Sequence, residues 1–173
     1  MNYLCTMDEI VNRIQNSGLI SIDLASFKPT IEVLDIDMTD LLWERTVLKE
    51  KDFRAWVKDH SWNKYQGKAV FVHCSEDAII PTWAYMLIGS KLEEVTPDYI
   101  IGTRSELEKK LIKDKIFNED LSGYKDGRII IKGCSDIPFP EFAMVELVRH
   151  IQPVAKSIMY GEPCSTVPVF KRK

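Results

Sequence analysis

The sequence predicts an α/β fold: a mostly parallel sheet built from repeated βα units, with an N-terminal α+β appendage. Three observations lead there. Uninterrupted apolar runs recur at Ala69-Val70-Phe71-Val72, Tyr99-Ile100-Ile101 and Ile129-Ile130-Ile131, the pattern of strands buried on both faces. Segments with helix-start signals separate these runs, and such alternation builds parallel sheets with right-handed crossovers. Lastly, Gly67-Lys68-Ala69-Val70-Phe71-Val72-His73-Cys74-Ser75 matches Gly127-Arg128-Ile129-Ile130-Ile131-Lys132-Gly133-Cys134-Ser135 without a gap. Convergent βα patterning accounts for the apolar runs, but not for a Cys-Ser at one fixed distance from the glycine.

The elements follow in order. Thr6 and Glu9 stand at capping-box spacing before Ile10, Val11 and Ile14, and Ser17-Gly18 supplies a stop, so residues 7–17 are expected to be helical. Residues 19–24 alternate through Leu19, Ile20, Ile22 and Leu24 as a short strand does, and residues 31–38 do so less cleanly. Phe53, Trp56 and Val57 share one face among charged neighbours, predicting a helix from about Leu48 to His60. These elements make up the appendage, residues 1–66. Residues 67–173 make up the α/β domain, and the two together are also compatible with one compact body.

Within the α/β domain, the strand at 69–72 is followed by a helix from Pro81 to Val95, with proline in its first turn. After the strand 99–101 a helix runs from Ser105 to Ile116, opened by Ser105 and Glu108 at capping-box spacing. A loop containing Gly123, Asp126 and Gly127 leads to the strand 129–131. The next helix begins near Pro140, is interrupted at Pro153 and ends near Tyr160-Gly161, and the last strand runs from Thr166 to Phe170.

Composition narrows the function classes. The chain has 173 residues, 45% of them hydrophobic and 28% charged, which rules out a disordered chain and a disulfide-stapled miniprotein. A domain of this size buries roughly 70% of the surface its unfolded form exposes. With 23 basic against 26 acidic residues, the net charge of -3 gives no electrostatic reason to expect nucleic acid or an anionic membrane as partner. The residues around Met1 lack the basic and apolar regions of a signal peptide. The longest near-apolar run, Ala78 to Gly89, is far shorter than the ~20 residues that span a bilayer. The cytoplasm is the expected address, where disulfides rarely persist.

Four cysteines are present, and none forms a CxxC pair, so zinc-ribbon and thioredoxin chemistry have no local support. Three of the four lie in Cys-Ser dipeptides: Cys74-Ser75, Cys134-Ser135 and Cys164-Ser165; Cys5 lacks this context. The repeat puts Cys74 and Cys134 at the carboxyl ends of strands, where loops of a parallel sheet form a ligand crevice, and ahead of helix N-termini that favour thiolate. Three soft thiolates far apart in sequence suit zinc or an iron–sulfur cluster, with metal or a small molecule as partner. His73, Asp77, Asp136 or His150 is a possible additional ligand, and Ser75, Ser135 and Ser165 are expected to hydrogen-bond the sulfurs and tune them. A regular strand turns His73 to the face opposite Cys74, and His150 suits a structural role at a helix end better than ligation. A single straight helix from Pro140 to Tyr160 would carry Cys164 to the far edge of the sheet, so the site needs either a break at Pro153 or a second subunit of a homo-oligomer.

Two other readings compete. One is a thiol-dependent enzyme acting on a small anionic substrate, with Cys74 or Cys134 as nucleophile and His73 as base. The other is an interaction module whose cysteines are small buried hydrophobes, the commonest fate of free cysteine. Asp35, Asp37 and Asp40 lie close enough to suggest magnesium, but polar-face and turn duty fits them better. Gly102-Thr103-Arg104-Ser105 joins a strand to a helix N-terminus and suits a phosphate or carboxylate. Capping accounts for Thr103 and Ser105, leaving Arg104 as the functional candidate. Trp83 and Phe142, near helix starts beside the cysteines, are candidates to wall a pocket. Nucleophile-elbow, HExxH and kinase signatures are absent from the sequence.

The stretches Cys74-Ser75-Glu76-Asp77-Ala78-Ile79-Ile80-Pro81-Thr82-Trp83-Ala84-Tyr85, Lys132-Gly133-Cys134-Ser135 and Gln152-Pro153-Val154-Ala155-Lys156-Ser157-Ile158-Met159-Tyr160-Gly161-Glu162-Pro163-Cys164-Ser165 resemble a bacterial family catalogued as domain of unknown function 2480. Lys49-Glu50-Lys51-Asp52-Phe53-Arg54 and Tyr65-Gln66-Gly67-Lys68 resemble it as well, so the likeness covers most of the chain from about residue 40. The resemblance brings no activity, substrate or cofactor. The gene neighbourhood it implies, near iron–sulfur assembly functions, tilts the expectation from zinc toward a cluster-related role. The arrangement is also loosely similar to quinolinate synthase, in which βα units each offer a cysteine to one cluster, a likeness of fold only.

Overall fold

The computed structural model describes residues 18–132, 136–162 and 165–173. In chain order these form β1 (Leu19–Ile22), β2 (Val33–Asp37), α1 (Glu50–Asp59), β3 (Ala69–His73), α2 (Thr82–Leu92), β4 (Tyr99–Ile101), α3 (Arg104–Phe117), β5 (Arg128–Ile131), α4 (Pro140–Ile151), β6 (Ser157–Glu162) and β7 (Ser165–Lys171), with short 3-10 turns that include Met38–Leu41 and Trp62–Tyr65. The chain divides into two units, residues 28–115 and residues 1–27 with 116–173.

In the 28–115 unit, β2, β3 and β4 form a parallel sheet in that order. Side chains alternate along β3. Val70 and Val72 pack with Phe53 and Val57 of α1 and Ala84, Ile88 and Leu92 of α2. Ala69 and Phe71 pack with Leu107 and Leu111 of α3. Helices on both faces explain why 69–72 is apolar at every position: no face of the strand meets water. The strand order runs in one direction and α1 and α2 share a face, so the reversal that opens a ligand crevice in doubly wound sheets does not occur among these strands.

In the other unit, β1, β5 and β6 run parallel and β7 closes the sheet antiparallel to β6. Helix α4 makes the crossover from β5 to β6 and buries Ala143, Leu147 and Ile151. No helix among the described residues is long and apolar enough to cross a membrane.

The fold is thus mixed α/β with four described α-helices, but its strands form two sheets rather than one. Apolar periodicity marks a strand without naming its partner, so the sequence could not separate them. The residues 1–66 expected as an appendage contribute β1 to one sheet, paired with β5, and β2 to the other, paired with β3. The helix expected from Pro140 to Tyr160 ends at Ile151, and residues 157–162 are strand β6 instead. Gln152 keeps helical dihedrals, φ -54° and ψ -39°, but Pro153 has no N–H to carry the hydrogen-bond ladder on, and the short segment that follows carries no helical period of its own. Helix α3 also starts earlier than expected. Thr103, not Ser105, caps it, with its backbone N–H and hydroxyl donating to Glu106 Oε2 at 2.7 and 2.8 Å. The helix expected over residues 7–17 lies outside the described residues.

The two glycines aligned by the sequence repeat serve different purposes. Gly67 has φ +68° in open space, a conformation that an L side chain rarely adopts. Gly127 has no positive φ, but a Cβ there would stand 2.6 Å from Ile20 Cδ1 and 3.1 Å from the Tyr124 carbonyl. The left-handed residue before β5 is Asp126, φ 54°. Gly67 and Asp126 each lie two residues before the strand that follows, β3 and β5. Aligned on these backbones, the strand starts correspond one residue out of step with the ungapped sequence match.

Candidate functional site

The carboxyl ends of β2 and β3 lie side by side, with Asp37 opposite His73. Asp37 caps the 3-10 turn Met38–Leu41: its Oδ1 accepts from the Thr39 N–H at 2.9 Å. The same oxygen accepts from the Ser75 N–H at 3.1 Å, and Oδ2 accepts from the Ser75 hydroxyl at 2.5 Å. Burial pushes the Asp37 carboxyl up, but these bonds from Ser75 and Thr39 outweigh it and hold the group well below the usual carboxylate range.

Thr39, 4% exposed, is the centre of the cluster. Its Oγ1 accepts from the Ser75 N–H at 3.1 Å, lies 3.0 Å from Ser75 Oγ and lies 3.5 Å from Cys74 Sγ. Cys74 is a free, partly exposed thiol that packs against the core shared by α1 and α2. Burial, and after it the neighbouring Cys74 sulfur, push the Tyr85 phenol above its ordinary value. Ser75 therefore acts on Cys74 at one remove: it fixes Asp37 and Thr39, and Thr39 meets the sulfur. Residues 75–81 separate Cys74 from the start of α2, so the thiol does not sit in the first turn of a helix.

His73 ends β3 on the face opposite Val72. Its ring stacks on Phe71 at 5.1 Å and its Nε2 donates to Asp35 Oδ2 at 3.3 Å. Asp77 is exposed in the loop that follows. Trp83 lies on α2 with its ring edge-on to Phe53 at 5.7 Å and the Arg54 guanidinium 5.2 Å over it, a position on the core margin. Arg104 Nε donates to Glu108 Oε1 at 2.9 Å, and the Glu106 carboxylate already occupies the α3 N-terminus where an anion was expected. Asp35 and Asp37 carry the turn and cross-strand bonds just described, the duty the sequence favoured over magnesium binding.

In the other unit, Phe142 and His150 lie on α4, Asp136 is exposed ahead of it, and Ser165 opens β7 opposite Glu162. His150 Nε2 donates to the Glu119 carbonyl at 3.3 Å and its ring lies 4.8 Å from that of Phe117, a helix-end packing role. Cys5, Cys134, Ser135 and Cys164 lie outside the described residues. Among the described residues no three His, Cys, Asp or Glu side chains stand together as a metal site. Sequence reasoning passed over Thr39. Its only signal was the DxT spacing Asp37-x-Thr39 at a strand end, and nothing local pairs that turn with Ser75 of another strand.

A polar cavity of about 220 Å³ lies beside β2, lined by Asp35, Asp37, Asp40, Trp56, His60, Lys64 and Tyr65 among others. It is built from the C-terminal turn of α1 and the 62–65 turn, which the sequence did not single out.

The chain belongs to the family described as protein of unknown function (DUF2480), which matches residues 8–172. Neither the curated proteins nor the solved structures contain a match.

Proposed function

We propose that this family member works through a thiol centre at the carboxyl end of β3, and that the centre holds a soft metal, either zinc or the iron of an iron–sulfur cluster. Cys74 is one ligand. Cys134 and Cys164, which share its Cys-Ser setting, supply the others, from the same chain or from a second copy. The proposed setting is the cytoplasm, where thiols stay reduced, and the proposed role is in cluster assembly.

The position of Cys74 carries the proposal: a free, partly exposed thiol at the end of a buried strand, beside a hydroxyl held in place. Soft thiolates select zinc and iron–sulfur centres. A neighbouring donor such as the Thr39 hydroxyl tunes ligand basicity and redox potential. The bonds from Ser75 to Asp37 and Thr39 fix the backbone after Cys74 and the pairing of His73 with Asp37 fixes it before, the kind of support a preorganised ligand needs. The sequence match of 67–75 with 127–135 gives Cys134 a related context, and Cys164 shares the Cys-Ser dipeptide; both support the same reading.

The test is purification with and without oxygen, followed by elemental analysis and a visible spectrum. The expected result is zinc or iron bound in a fixed ratio to the chain and lost in the variants Cys74→Ser, Cys134→Ser and Cys164→Ser. Protein that is metal-free from both preparations and takes up neither zinc nor iron on reconstitution overturns the proposal.

A further inference from the structure

We propose that His60 and Tyr65 form an acid-sensitive latch that holds the 62–65 turn against the end of α1 and closes one wall of the cavity beside β2. His60 caps α1, its backbone N–H donating to the Trp56 carbonyl at 2.8 Å. Its imidazole is set among aromatic rings, with centroids 4.2 Å from Trp56, 4.8 Å from Trp62 and 5.7 Å from Tyr65. His60 Nε2 lies 3.0 Å from Tyr65 Oη.

The latch takes Tyr65 as the donor in that hydrogen bond. The residue is 1% exposed, and burial first, then Asp35, push its phenol up to about 12. The hydroxyl therefore keeps its proton at every physiological pH, and the neutral imidazole is the acceptor it meets. A protonated imidazole has no lone pair to offer. It would turn a second donor toward the first and leave the buried hydroxyl to seek another acceptor, a costly exchange in a low-dielectric site. Trp62 Nε1 donates to the Val57 carbonyl at 2.9 Å and forms the second tie between turn and helix. The Trp62 N–H donates to the His60 carbonyl at 3.0 Å, so breaking the Tyr65 tie leaves the turn held through Trp62 alone at this end of α1.

Burial, and after it the Lys64 ammonium, hold the His60 imidazole below its ordinary value. Asp35 and Asp37 from β2 and Asp40 from the following turn line the same cavity and act in the opposite sense, yet the net direction remains downward. For a histidine lowered on folding, the neutral form is favoured by the fold. The stabilisation is complete above the unfolded value of roughly 6.5 and fades as pH falls below it.

The experiment follows the full chain from pH 8 to pH 5. Imidazole NMR assigns the His60 midpoint, indole emission follows Trp56 and Trp62, and hydrogen exchange corrected for intrinsic rate follows amides 61–66. The latch predicts a His60 midpoint below roughly 6.5, a change in emission over the same range and faster exchange confined to 61–66. The variant His60→Gln, whose amide oxygen accepts from Tyr65 at every pH, should lose both the emission change and the pH-dependent exchange. Tyr65→Phe, which keeps the ring, should raise the midpoint. A His60 midpoint at or above that of a free imidazole, an emission step that persists in His60→Gln, or titration without any change in exchange overturns the proposal. Metal content plays no part in these readouts, so the outcome is independent of the function proposed for Cys74.

Discussion

In the β2–β3–β4 sheet helices cover both faces, and Val70 and Val72 of β3 are 0% exposed. In the other sheet the outermost strand, β7, leaves Val167 61% and Val169 52% exposed. A parallel strand is reached by a crossover that lays a helix on the sheet, so its side chains are buried on whichever faces the crossovers cover. The antiparallel β7 lies beside β6 with no helix between them and keeps one face open. Similar valine-rich segments therefore differ sharply in what each residue contributes.

The largest expected effect tests that contrast directly. Ile88→Ala, at a 0% exposed position facing β3, should cost about 2–5 kcal/mol. Val169→Ser on β7 should stay within about 0.5 kcal/mol. Urea unfolding of both variants checks this, and equal losses would erase the distinction between a covered inner strand and an open edge strand. Next come the paired glycines. Gly127→Ala should cost about 1–3 kcal/mol by overpacking, with part of the loss recovered when Ile20→Val removes the Cδ1 that the new methyl meets. Gly67→Ala should cost about 1 kcal/mol through its backbone alone, with no rescue by any side-chain truncation and a smaller loss for Gly67→Asn.

Thr39→Val keeps the volume but leaves Ser75 and Cys74 without their shared partner, so a loss of about 1–2 kcal/mol is expected. The same variant should shift the visible spectrum of an iron–sulfur cluster held by Cys74. The smallest effect is the pH dependence of Asp37, whose carboxyl is lowered on folding. The stability it contributes is complete above the unfolded value of roughly 3.9 and is lost as pH falls below it. Asp37→Asn should flatten the stability profile in that acid range and cost about 1 kcal/mol at neutral pH, because the amide nitrogen cannot accept from the Ser75 hydroxyl as Oδ2 does. Thermal scans from pH 6 to pH 3 measure both.

The sequence made the strand positions legible where an apolar run is unbroken: 69–72, 99–101 and 129–131 each fall in a strand, although burial on both faces explains the pattern only for the central strands, since Ile101 of β4 is 48% exposed. It was less clear where a segment's identity depends on a distant partner. Residues 157–160 carry one buried position, Ile158, and it is pairing with β5 and β7 that makes them a strand. The candidate site divides in the same way. Cys74 and Ser75 were visible as a repeated dipeptide, whereas Asp37 and Thr39 join them through cross-strand bonds that no local spacing encodes. The same applies to His60 and Tyr65: their meeting depends on how the turn between them folds back, not on the five positions that separate them.

The antiparallel edge has a further consequence. Pro168 sits in β7 opposite Met159, next to a register shift, and the strand runs into Lys171, Arg172 and Lys173. Proline has no N–H to offer an incoming chain, and a broken rhythm followed by cationic side chains repels a flat neighbour. The exposed valines are thus placed on an edge whose proline, register shift and cationic end all disfavour the addition of a foreign strand.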